Sequence, residues 1–72
     1  MIKFTGDKKL LIQLNYEYNP ETHYWEKVLV NKKSKIKVSC FIGEDLKISF
    51  IGDFKYHKIF LDELGSDNYV FL

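Results

Sequence analysis

Apolar and polar residues alternate along much of this chain with the period of a β-strand. In KIKVSCFI, Ile36, Val38, Cys40 and Ile42 fall on one face, and Lys35, Lys37 and Ser39 on the other. In LKISFI, Leu46, Ile48 and Phe50 form the inward set. LLIQLNYEY alternates as cleanly, with Leu10, Ile12, Leu14, Tyr16 and Tyr18 opposite Leu11, Gln13, Asn15 and Glu17. HYWEKVLV is mixed, because Val28 and Val30 share a face with Tyr24 and Glu26; a bulge or an edge position would account for that. The opening IKF reads as one more short strand. Turn formers punctuate the runs at Thr5-Gly6-Asp7, Asn19-Pro20-Glu21, Asn31 to Ser34, Gly43-Glu44-Asp45 and Gly52-Asp53.

The segment DFKYHKIFLDELG abandons the period of two. Phe54, His57, Phe60, Leu61 and Leu64 gather on one side at helical spacing, after an N-cap residue at Asp53 and before a stop at Gly65. A helix of about three turns is predicted, with Asp62 and Glu63 set against the dipole at its end. The tail NYVFL is apolar enough to return as a strand or pack on the core. FIGEDLK and FIGDFK repeat similar words, read as two turns of like chemistry, the second opening the helix. The pattern as a whole predicts an α+β fold: an antiparallel sheet of about five short strands with one C-terminal helix packed on it. Seventy-two residues are too few for two cores, so residues 1–72 read as a single domain.

Composition sharpens the functional picture mainly by exclusion. The chain is 46% apolar and 17% aromatic, which is globular, and its formal net charge is only +1. Every cation is a lysine; arginine, the usual residue for bidentate recognition of phosphate or guanine, is missing. Cys40 is the sole thiol and alternates with apolar residues, which marks it as a buried small hydrophobe. A single cysteine, no apolar leader and no membrane-length segment predict a cytoplasmic protein. Two histidines and one cysteine, far apart, offer no metal-ligand spacing, and no glycine-rich phosphate loop is present. The expectation is therefore a protein without cofactor or metal, and not an enzyme.

Two stretches remain as candidate contacts. Lys32, Lys33, Lys35 and Lys37, with Lys27 nearby, could line a strip along phosphates; the near-neutral charge and missing arginine favour a solubilising role, so nucleic-acid binding stands as the alternative. YEYNPETHYWEK holds the only proline, the only tryptophan, three tyrosines and three glutamates. So thin a domain cannot bury four rings at one end, and aromatic rings with a polar fringe are the composition of protein-binding hot spots. The candidate contact residues are Tyr18, Glu21, His23, Trp25 and Glu26, joined by an acidic end at Asp62, Glu63 and Asp67.

The order IKFTGDKKLLIQL, YEYNPETHYW, KIKVSCF and DFKYHKIFLDEL resembles the small bacterial immunity proteins of the WapI type, over Ile2 to Leu64. The resemblance rests on Tyr16, Tyr18 and Pro20 ahead of Trp25, and on Phe60, Leu61 and Leu64 in the helix. It implies a cytoplasmic protein that binds and neutralises a toxin domain, with no catalytic residues of its own. Phage-encoded inhibitors of bacterial defence nucleases, the anti-CRISPR proteins among them, share this profile and this mode of action. A homodimer through an exposed edge strand is a further alternative.

Overall fold

A computed structural model describes residues 1–72. Six strands form one antiparallel sheet: β1 (Ile2–Phe4), β2 (Glu17–Asn19), β3 (Tyr24–Asn31), β4 (Ile36–Ile42), β5 (Lys47–Ile51) and β6 (Tyr69–Phe71), in the order β2-β3-β4-β5-β1-β6. Two helices lie on one face, α1 (Lys8–Gln13) and α2 (His57–Leu64), the latter entered through a 3-10 turn at Phe54–Tyr56. The α+β class, the antiparallel sheet and the C-terminal helix match the reading of the pattern. The sheet has one strand more than expected because the apolar tail returns beside β1, pairing Ile2 with Phe71 and Phe4 with Tyr69.

Residues 8–13 depart from the alternation: they are helical. Asp7 caps the helix, its carboxylate accepting from the Lys9 amide at 2.9 Å. Leu10, Leu11 and Leu14 also stand at helical spacing, and the structure buries Leu11 completely while leaving Ile12 62% exposed. Asn15 then takes a left-handed conformation (φ 68°), with its amide bonded to Ile12 O and that of Tyr16 to Leu11 O. This is a Schellman end, and its usual apolar clasp is the buried pair Leu11 and Tyr16. A capped helix with two buried anchors thus displaces the N-terminal part of the expected strand, and only Glu17–Asn19 remains extended.

β3 has neither a bulge nor a simple edge position. It pairs without interruption with β4, from Trp25 opposite Ile42 to Asn31 opposite Ile36, and its first residues also pair with β2. The mixed pattern has another cause: Lys27, opposite Cys40, faces the helices among apolar neighbours. Its ammonium lies 2.9 Å from the Glu63 carboxylate of α2 and 5.6 Å above the Tyr16 ring. Charge pairing and a cation–π contact make that inward lysine tolerable.

The core sits between the helices and the sheet: Phe4, Leu11, Tyr16, Val38, Cys40, Ile42, Ile48, Phe60 and Leu64. The other face of the sheet is uncovered and mixed. In α2 the predicted apolar side holds for Phe60 and Leu64, but Phe54 is 85% exposed because Asp53 starts a 3-10 turn that swings its ring outward; Tyr56 packs on the core instead. Gly52, at φ 120°, permits the close crossing before that turn, where a Cβ would lie 2.6 Å from Val38.

Candidate protein-binding surface

The β2–β3 hairpin forms one outer edge of the sheet. Asn19 shapes its turn, taking the Glu21 amide on its side chain (2.9 Å) and the His23 amide on its carbonyl (2.8 Å). His23 is left-handed there (φ 62°), and its ring is turned back onto β2. Nδ1 lies 3.0 Å from the Tyr18 hydroxyl and 3.2 Å from the Glu44 carboxylate of the neighbouring β4–β5 turn. With a bare Nδ1 the ring accepts from Tyr18; with a proton there it donates to Glu44. Tyr18 in turn packs on Trp25, its cross-strand partner, at 5.4 Å between ring centres.

Of the rings in the motif, only Tyr16 is sealed in the core. Trp25 is half-buried, one side against the core, whereas Tyr18 and Tyr24 are each 45% exposed. They emerge on opposite faces of the sheet, so the aromatic rim wraps around the edge. Tyr24 rests against Phe41 across β4.

Acids surround this rim. Cross-strand register sets Glu17 directly opposite Glu26, a like-charge pair on the uncovered face. Neither has a cation within salt-bridge distance, nor does Glu21; Glu26 has only a long contact from the Thr22 hydroxyl, 3.4 Å. Of the expected residues, Tyr18, His23, Trp25, Glu21 and Glu26 therefore do share one end of the molecule. The second acidic group does not join them, two of its members being paired and the third lying by the other edge. Glu63 is held by Lys27, Asp62 stands near Lys58 at 3.8 Å, and Asp67 lies in the turn before β6. Glu17, expected beside the exposed rings from its place in the same stretch, comes to the rim through register. Sequence reading missed Glu44 and Asp45, which reach it only through the β4–β5 hairpin.

The lysines are divided. Lys27 faces the helices, so it leaves the basic strip; Lys32, Lys33 and Lys35 occupy the β3–β4 turn at the opposite end, with Lys37 on the uncovered face of β4. Cys40 is fully buried, and burial pushes its thiol up to about 11 against the lowering pull of the Tyr16 hydroxyl and Lys27. Burial likewise holds the Tyr16 phenol well above its ordinary value; its hydroxyl has no proper hydrogen-bond partner, contact with the weakly polar thiol being a poor substitute. No three His, Cys, Asp or Glu side chains gather where they could hold a metal ion. No helix is long and apolar enough to cross a membrane.

At the other outer edge, β6 borders an apolar cleft of about 460 Å³ lined by Ile2, Phe50, Phe54, Leu61 and Phe71, with Lys55 and Lys58 at its mouth. His57 stacks on Phe50 at 4.4 Å.

Fold and surface together define a class: a small α+β domain, helices on one face of a six-stranded antiparallel sheet, with an acidic aromatic rim at one edge. Compared with protein-family models, curated proteins and solved structures, the chain matches none.

Proposed function

We propose that this protein binds another protein through the β2–β3 rim and blocks it, the blocked surface being basic. The observation that carries the reading is the Glu17–Glu26 pair beside the exposed rings of Tyr18 and Tyr24. Two like charges held opposite each other destabilise a sheet, and a cationic partner relieves them. Half-exposed tyrosines backed by a half-buried tryptophan supply the rigid apolar anchors that carry most interface energy. A basic surface flanked by pockets for rings is what a nuclease presents to its nucleic acid. Inhibition by occupying such a surface is also the mode of action that the resemblance to WapI-type immunity proteins implies. A toxin or nuclease is therefore the proposed target, and an anti-defence inhibitor of phage origin would work by the same contact.

The test is calorimetric titration of this protein into the toxin or nuclease domain encoded beside its gene, with the activity of that domain as a second readout. A stoichiometric complex and loss of activity are expected. Tyr18→Ala and the double variant Glu17→Gln with Glu26→Gln should each weaken binding at least tenfold, about 1.4 kcal/mol, without loss of fold. Replacing Lys32, Lys33 and Lys35 by Gln should change little. Weakening by the lysine variant and none by the rim variants would sink the proposal and favour nucleic-acid contact through the β3–β4 turn.

A further inference from the structure

The outer edge of β6 is unusual for a small domain. Leu72 N–H donates to Met1 O at 2.7 Å and Thr5 N–H to Asn68 O at 2.8 Å, while Val70 stands opposite Lys3. Residues 68, 70 and 72 therefore turn their backbone groups toward β1, and Tyr69 and Phe71 turn theirs outward, unpaired. Edges of this kind are normally blunted with lysine, proline or a bulge. Here the strand reads Tyr69-Val70-Phe71-Leu72, without a charged side chain, and Val70, Phe71 and Leu72 are 40%, 66% and 72% exposed. β2, the opposite edge, carries Glu17 and Asn19 instead.

We propose that β6 is a self-association edge: two copies of this chain pair antiparallel along it, joining their sheets about a two-fold axis at Val70. The register is self-complementary. Tyr69 of one copy meets the partner's Phe71 and the reverse, each residue exchanging its N–H and C=O, so that every outward group is satisfied. Val70 then faces its own counterpart as a non-hydrogen-bonded pair, where side chains approach most closely. On the helix side, Tyr69 of one copy covers the exposed Phe71 ring of the other at the mouth of the apolar cleft.

Charge favours this direction of pairing. Lys55 lies at the Phe71 end of β6, beside the cleft, together with Lys58, whose contact to Asp62 is long (3.8 Å) and exposed; Asp67 lies at the Tyr69 end. The two-fold axis brings the Lys55 end of each copy to the Asp67 end of the other. Lys3 and its counterpart are three strand spacings apart, about 14 Å, beyond the screening length at physiological salt. The proposed β2–β3 rims stay free at the two far edges of the joined sheet, so a dimer would present two of them.

A three-residue edge makes a small interface, and a dissociation constant of roughly 100 μM is expected. Sedimentation equilibrium from about 10 μM to about 1 mM reads it directly, because mass action moves the monomer–dimer balance across that range. The average mass should rise toward two copies and no further. Phe71→Pro removes an outward N–H and an exposed ring outside the core cluster, and should return the protein to monomer. Val70→Glu sets two carboxylates on the axis while each sits beside its own Lys3, so the fold is kept and the dimer is lost. A monomer at every concentration overturns the proposal. So does a dimer that persists in a folded Val70→Glu variant, or a mass that grows past two.

Discussion

The two outer edges of this sheet are built on opposite plans. The β2–β3 edge is acidic and ringed with half-exposed tyrosines, yet it is tied into the body of the protein. Trp25 leans on the core, the Leu11–Tyr16 clasp ends α1 beneath it, and the Lys27–Glu63 pair fastens β3 to α2. The β6 edge is apolar with a basic fringe, and its most exposed rings, Phe54 and Phe71, take no part in the core cluster. The contrast teaches that exposure alone does not describe a surface. At one edge the rings are the outer ends of structural contacts and are held rigid; at the other they are apolar area with little behind it. Rigid rings lose little entropy on binding, which suits the first edge to a specific partner.

The contrast predicts that substitutions beneath the first edge destabilise the protein and that ring removal at the second does not. Leu11→Ala should have the largest effect, about 3 kcal/mol by chemical denaturation, since it empties a fully buried site and loosens the clasp on Tyr16. A loss below 1 kcal/mol would mean that α1 is not anchored as described.

Alkaline pH should act on the same region almost as strongly. The Cys40 thiol ionises near 9.0 when unfolded and near 11 when folded. The folded state thus favours the protonated form, so stability is intact below pH 9 and falls between pH 9 and 11, by roughly 3 kcal/mol. The raised Tyr16 phenol adds a loss of the same sign that begins above its ordinary value of 10.0, overlaps the upper half of that range and continues beyond it. Urea midpoints measured across that range for wild type and Cys40→Ala should diverge, the variant being flatter.

Lys27→Ala should follow, at about 2 kcal/mol. The pair is only partly shielded, Glu63 remaining one-third exposed, so the penalty lies below that of a deeply buried ion pair. Lys27→Met should recover much of the loss by filling the same space, which distinguishes packing from charge. Phe54→Ser belongs at the bottom of the series. With 85% of its surface in water, the ring should contribute no more than about 0.5 kcal/mol to thermal or urea stability. A large loss there would erase the distinction between the edges.

How much of this was legible beforehand depended on whether one residue's neighbours were enough to decide its place. The alternation of β4 and β5 was plain, and Cys40 lies in the core as its spacing indicated, because a strand with one buried face repeats every two residues whatever it pairs with. Asp53 and Gly65 likewise bracketed the C-terminal helix correctly. For residues 8–13 the letters supported both periods, and the choice fell to Asp7, Asn15 and the burial of Leu11, none visible in an alternation count. At the candidate surface, the exposed tyrosines and His23 were within reach of sequence reasoning. The role of Glu63 was not, since its partner Lys27 lies thirty-six positions away.

The amino-acid sequence by itself determined the class of fold, the cysteine in the core and the crowding of rings around Pro20, because these rest on local period and composition. Only the tertiary structure decided that Lys27 points inward, that Glu17 meets Glu26, and that Tyr69 to Leu72 become an edge without charged side chains. Each of these depends on strand register or on which elements become neighbours. Those are set by long-range packing of the whole chain, and no local stretch carries that information.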